Sequence, residues 1–197
     1  MRKKSIKKAA SGFSKNVDGI LDLLGRASKS KIFTDQDQSW SYDLSIIRLY
    51  REFEDLMLST LIALINIDME TFSRHKGLQF PKHMNVELCE YLICGDSYFD
   101  FSGRSGLIKI IKKFVPENHW FPIIVKNSAY KDALDRLSAL RNFAAHDSAF
   151  SKQRALKSIG QQRMASSGAW LKKQNRFSKI CTSLKHMAQR IEAEADY

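Results

Sequence analysis

Chain breakers are scarce in this sequence: three prolines and nine glycines are spread over 197 residues. No β-branched run alternates with polar residues for any length, so a sheet-rich fold is excluded and an all-α fold is expected. Cysteine is equally sparse. Cys89, Cys94 and Cys181 are odd in number and lack a CxxC spacing, which excludes a disulfide framework and a zinc knuckle. They read as ordinary buried or half-buried thiols of a reducing, cytoplasmic protein. No apolar stretch approaches the roughly eighteen residues needed to span a bilayer, so no membrane association is expected. The basic start Met1-Arg2-Lys3-Lys4 is followed by no apolar segment of the kind a secretory signal carries. His75, His83, His119 and His186 are scattered without ligand spacing, so neither a metal nor another cofactor is expected.

One absence is local and more telling. Residues 151–190 hold ten Lys and Arg and not a single acid. Residues 1–32 hold nine basic residues against Asp18 and Asp22, whereas 33–150 hold thirteen basic and sixteen acidic residues. The net charge of +11 is therefore concentrated at the two ends, with a near-neutral middle and an acidic last stretch. Such a distribution suits a polyanionic partner, and a nucleic acid is the expected one. Lys172, Lys173, Arg176 and Lys179, with Lys185 beyond them, are the candidate phosphate-backbone contacts, which carry no sequence preference in themselves.

At this length the chain is expected to form one main domain with its own core. Residues 1–30 read as a basic arm (1–10) followed by a short helix over 11–28, and 31–197 as a single helical domain. Ser39 or Ser41 is expected to cap a long helix reaching about Asp68, with Leu44, Ile47, Tyr50, Leu58, Leu61 and Ile65 on its apolar stripe. Further helices are predicted over 84–94, 104–114, 127–146, 150–159 and 167–193, the last one long and basic. The segment 116–125, with His119, Trp120, Phe121 and Pro122, reads as a loop whose rings pack on the bundle or stack on bases. The aromatic connector 97–103 is expected to cross the core. A bundle of about five to seven helices results.

The chemistry-bearing stretch is Arg141-Asn142-Phe143-Ala144-Ala145-His146, near the end of the 127–146 helix. Histidine moves protons near neutral pH, and arginine holds charge that grows on a phosphate. Asn142 and His146 are four apart and so stack on one helical face, where the amide can orient the imidazole. Ala144 and Ala145 leave room for another surface, such as a second copy of the same helix. A plainer role for His146, at a helix end, is an interaction with the dipole and nearby carbonyls; Arg141 can pair with Asp135 or Asp147.

Arg141-Asn142-x-x-x-His146 resembles the R-x4-H signature of the HEPN superfamily, and the helix order over about 38–192 resembles that family's arrangement. The upstream acidic patch Arg51-Glu52-Phe53-Glu54-Asp55 matches a carboxylate on the preceding long helix, Glu54 most closely. The resemblance implies an all-α HEPN-like bundle that forms a homodimer with two motifs facing one cleft, and a metal-independent endoribonuclease of the toxin or defence type. It implies that His146 is general acid or base, Arg141 stabilises the pentavalent phosphate, Asn142 orients His146 and Glu54 has a positioning role. It further implies a 2′,3′-cyclic phosphate product, a requirement for RNA, and control by an antitoxin or a larger defence complex. Members silenced by a nucleotidyltransferase carry R-x4-H-x-Tyr. Ser148 stands at that tyrosine's place here, which speaks against regulation of that kind. The alternative within the family is an inert module that binds RNA or a protein. A helical DNA-binding or scaffold protein with a coincidental motif is the third reading.

Overall fold

The computed structural model describes residues 4–195, and among these it contains ten α-helices, one 3-10 turn and no strand. The helices are α1 (Ile6–Lys29), α2 (Asp35–Ile67), α3 (Met69–Lys76), α4 (Val86–Cys94), α5 (Gly103–Ile111), α6 (Trp120–Lys126), α7 (Lys131–His146), α8 (Ala149–Ile159), α9 (Ser167–Leu171) and α10 (Arg176–Glu194). The all-α bundle with a long C-terminal helix agrees with expectation. Three helices exceed the seven read from the sequence: α3, α6 and α9.

The expected loose arm is helical from Ile6. Ser5 caps α1 by accepting from the Lys8 N–H, and Ile6, Ala10, Phe13, Val17, Ile20 and Leu24 recur every three or four residues along its buried face. The lysines that made this stretch look solvated sit on the opposite face, a normal division for an amphipathic helix. Residues 1–3 of the expected arm lie outside the described residues. α1 packs on α2 and α10, and its apolar face joins the same core as the rest of the chain.

The central element is α2, which contacts α1, α7, α9 and α4. It starts at Asp35 rather than near Ser39, because Thr34 and Asp37 form a capping box: each side chain accepts from the other's backbone N–H. Ser39 and Ser41 instead bond back to the carbonyls of Asp35 and Asp37 inside the helix. The chain then bends by 96° into α3 without glycine or proline. Asp68 ends α2, and its carboxylate accepts the Thr71 N–H at 2.9 Å to start α3.

Phe121, placed by the sequence in a loop, is fully buried in α6 and belongs to the core. His119 caps that helix through Nδ1, and Pro122 occupies its first turn, where no intrahelical N–H is needed. The connector 97–103 does cross the core, burying Phe99 and Phe101.

The expected helix over 167–193 is broken. Gln174 and Asn175 both have φ 56°, and this left-handed pair separates α9 from α10. The short α9 is a clamp. Ser167 Oγ donates to the Leu140 carbonyl of α7 at 2.8 Å, and the Gly168 N–H donates to Asp43 of α2 at 2.6 Å. Lys172, just past α9, closes the same seam through the Asp35 carboxylate at 2.7 Å and Ser39 Oγ at 2.8 Å.

Candidate functional site on the motif helix

α7 begins where Asn127 turns the chain, through the 3-10 turn Ser128–Tyr130, and runs unbroken to His146. Its buried face, Leu134, Leu137, Leu140 and Phe143, sets its orientation against α2. That docking places Arg141 over the middle of α2. The guanidinium lies over the ring of Tyr50, 4.2 Å from its centroid, and the ring in turn stacks on Phe101. A cation held on an aromatic face and shielded from water gains about 1 to 2 kcal/mol.

Polar groups complete the surroundings. The Tyr50 hydroxyl donates to Asp100 Oδ1 at 2.5 Å and accepts from the Phe101 N–H at 3.2 Å. Asp100 Oδ1 is 4.0 Å from Arg141, and Arg141 Nη1 donates to Asn142 Oδ1 at 2.6 Å. Glu54 lies one turn after Tyr50 on α2, within the field of the same cation. Burial pushes its carboxyl up to about 7, with Arg141 pulling the other way and Asp100 and Asp55 adding to the rise. The Arg141 side chain keeps a quarter of its surface open, so the cluster is a surface depression and not a sealed core network.

Of the sequence candidates, the structure brings Arg141, Asn142 and Glu54 together. Glu52 and Asp55 drop out as rivals to Glu54. Glu52 is buried and ties α1 to α2 by accepting from Asn16 and pairing with Arg48, whereas Asp55 faces solvent. Tyr50 and Asp100 belong to the cluster and were missed. Tyr50 reads as an apolar-stripe residue, although its four-residue spacing from Glu54 is a signal that both share a face. Asp100 carries no such signal, since it reaches Arg141 only through the path of the connector.

His146 stands apart from this cluster. It is the last residue of α7, exposed, with no hydrogen bond or ion pair among the described residues. Five residues along a helix correspond to a rise of about 7.5 Å and a turn of about 140° from Arg141. Asp147 follows in the left-handed region at φ 41°, its N–H on the Phe143 carbonyl, and Ser148 caps α8 through a box with Ser151. The His146 backbone is therefore placed at an open corner between two helices, with the imidazole exposed. The expected Asn142–His146 contact does not form: the Asn142 oxygen is taken by Arg141, so Asn142 orients the cation rather than the imidazole.

The candidate RNA contacts also separate. Lys172 is not available to a phosphate, since its ammonium is locked into the α2–α9 seam. Lys185 is engaged with Asp18 of α1 at 2.6 Å. Arg176 is half-buried over the Trp170 ring, whereas Lys173 and Lys179 are exposed and free among the described residues. No group of three or more His, Cys, Asp or Glu among the described residues is placed to hold a metal ion. The Cys181 thiol is pushed up to about 12 by burial, which removes it from nucleophilic chemistry near neutral pH. No single described helix is long and apolar enough to cross a membrane. Compared with family models, with curated proteins and with solved structures, the chain matches none.

Proposed function

We propose that the protein is a metal-independent endoribonuclease of HEPN type, active as a homodimer and serving as a toxin or defence effector. The observation that carries this reading is the pairing on α7 of a pre-oriented, partly exposed Arg141 with an unengaged His146 at the open end of the same helix. Tyr50, Asn142 and Asp100 hold the guanidinium, so binding a phosphate costs little further side-chain ordering. In the reaction His146 takes the proton from the ribose 2′-hydroxyl, or delivers one to the leaving 5′-oxygen. Arg141 carries the charge that builds on the pentavalent phosphorus. The 2′-oxygen bonds to phosphorus as the 5′-oxygen departs, leaving a 2′,3′-cyclic phosphate and a 5′-hydroxyl. Glu54, within the field of Arg141, has a positioning role.

A single chain turns Arg141 and His146 toward different directions, which supports a site completed by a second copy. A largely apolar groove of about 560 Å³ runs beside the motif, lined by the exposed Trp40 and Leu44, with Ile47, Phe143 and Ala144, and edged by Asp43 and Asp147. Ala144 has no bulk to oppose close approach there. An antitoxin or defence-complex protein would compete for that face.

The test is cleavage of a mixed RNA pool in EDTA. Wild type is expected to cut, leaving cyclic-phosphate ends, and His146→Ala and Arg141→Lys are expected to lose at least about a hundredfold in rate, His146→Ala with the wild-type melting curve and Arg141→Lys with the helical circular-dichroism spectrum retained. Cutting that survives in His146→Ala overturns the mechanism. A second reading, an inert module that binds RNA, is favoured by the full set of internal partners around Arg141. Wild-type protein that binds RNA without cutting it establishes that reading instead.

A further inference from the structure

On another face of the chain lies a cavity of about 700 Å³, between the loop after α8, α9 and the start of α10. Its lining includes Lys152, Arg163, Lys173 and Arg176 and no carboxylate. The 151–190 segment that builds it contains no acid from which a counter-charge could come. Four basic residues around one cavity without a carboxylate repel one another, and an anionic ligand would relieve that repulsion.

A second observation points the same way. Trp170 lines the cavity with nine-tenths of its surface buried, and its indole N–H is shielded from solvent and lacks an acceptor. A buried donor left unpaired carries a penalty of about 1 to 3 kcal/mol, which a small rotation of the indole toward a ligand oxygen in the cavity would relieve. Trp170 also borders a smaller cavity on the α7 side, but that one contains Asp132, which repels an anion.

Arg176 is pre-oriented at the wall of the cavity. Arg176 is stacked 4.5 Å over the indole, with Nη1 on the Trp170 carbonyl at 3.2 Å and Nη2 on Gln174 Oε1 at 2.7 Å. The left-handed Gln174–Asn175 pair is what folds Arg176 back over the ring. α10 starts there with no side-chain cap and no acid in its first turn, so its positive end adds to the field.

We propose that this cavity is a binding site for a phosphate group, held by Arg163, Lys173 and Arg176 and by the Trp170 indole N–H. The group belongs to an RNA backbone or to a free nucleotide. The assignment does not depend on cleavage at Arg141 and His146.

The experiment is a titration of the full chain followed by the indole N–H resonances of its three tryptophans, with Trp170→Phe assigning the signal. The probes are inorganic phosphate, 5′-AMP and a fully 2′-O-methylated RNA oligomer, which the proposed cleavage chemistry cannot cut. The Trp170 signal is expected to shift and saturate. The exposed pair Arg163→Gln and Lys173→Gln is expected to weaken binding about tenfold or more, as expected on losing charge-assisted contacts. An oligomer that binds well below the concentration needed for 5′-AMP identifies RNA as the source; equal or stronger 5′-AMP binding identifies a free nucleotide. A Trp170 signal unmoved by all three probes overturns the proposal, as does a shift that the double variant leaves unchanged. Either result leaves the cleavage assay in EDTA free to stand or fall on its own.

Discussion

Glu54 shows how one residue joins stability to the proposed chemistry. A carboxyl raised to about 7 by burial is neutral in the fold at pH 5 and ionised at pH 8, whereas in the unfolded chain it ionises near its ordinary 4.5. Between those values the folded state holds the extra proton, so this group makes stability fall as pH rises from 4.5 to 7, with the full penalty present above 7. Discounted for solvent screening at a half-buried position, the penalty amounts to about 1 kcal/mol. Glu54→Gln removes the titration. Its urea-unfolding free energy is therefore expected to gain on wild type by about 1 kcal/mol between pH 4.5 and pH 8. Parallel curves for the two proteins across that range would show that folding does not raise the Glu54 pKa. If Glu54 also positions Arg141, the variant loses cleavage rate with little change in RNA affinity.

At the scale of the element, α9 illustrates what can and cannot be read from a sequence. The apolar periodicity of α1, α2, α7 and α10 was legible because each helix buries one stripe, and a 3.6-residue repeat records that directly. Arg141, Asn142 and Glu54 were legible as a set because helix spacing and a family resemblance both pointed to them. The break between α9 and α10 was not. It rests on two left-handed residues inside a polar run with no glycine or proline, and on the grip of Asp43, Ser39 and Asp35, which are more than 120 residues away in the chain. Lys172 was misjudged for the same reason, since its partners lie on α2. Gly168 is the residue that this clamp cannot replace: a Cβ there would stand 1.8 Å from the Ser39 carbonyl oxygen, which is backbone and cannot move aside cheaply. Gly168→Ala is expected to destabilise the chain by about 3 kcal/mol or more, seen as a lowered urea midpoint. A near-neutral result would mean that α9 shifts away from α2 without loss, contrary to the clamp.

For the whole molecule, the question is how a chain with basic ends and a near-neutral middle would be assembled. The charge lies on α1, α8 and the approach to α10, whereas the apolar groove beside the motif lies between α2 and α7. Pairing two copies through that groove would keep the basic surfaces of both chains away from the seam, leaving Asp43 and Asp147 as its charged lining. It would also remove Trp40 and Leu44 from water, which are 58% and 69% exposed in the single chain. Burying most of a leucine and part of an indole contributes about 2 to 4 kcal/mol per chain, and a two-fold axis counts each contribution twice. Leu44→Glu places an ionised group in that seam at both symmetry-related positions while leaving the buried side of α2 untouched. The substitution is expected to convert a dimer to a monomer by light scattering, with an unchanged helical circular-dichroism spectrum. Cleavage in EDTA should then fall with the dimer fraction and recover as protein concentration is raised. A Leu44→Glu protein that remains dimeric would move the interface elsewhere, and a monomer that cuts at the full rate would show that one chain holds the complete site.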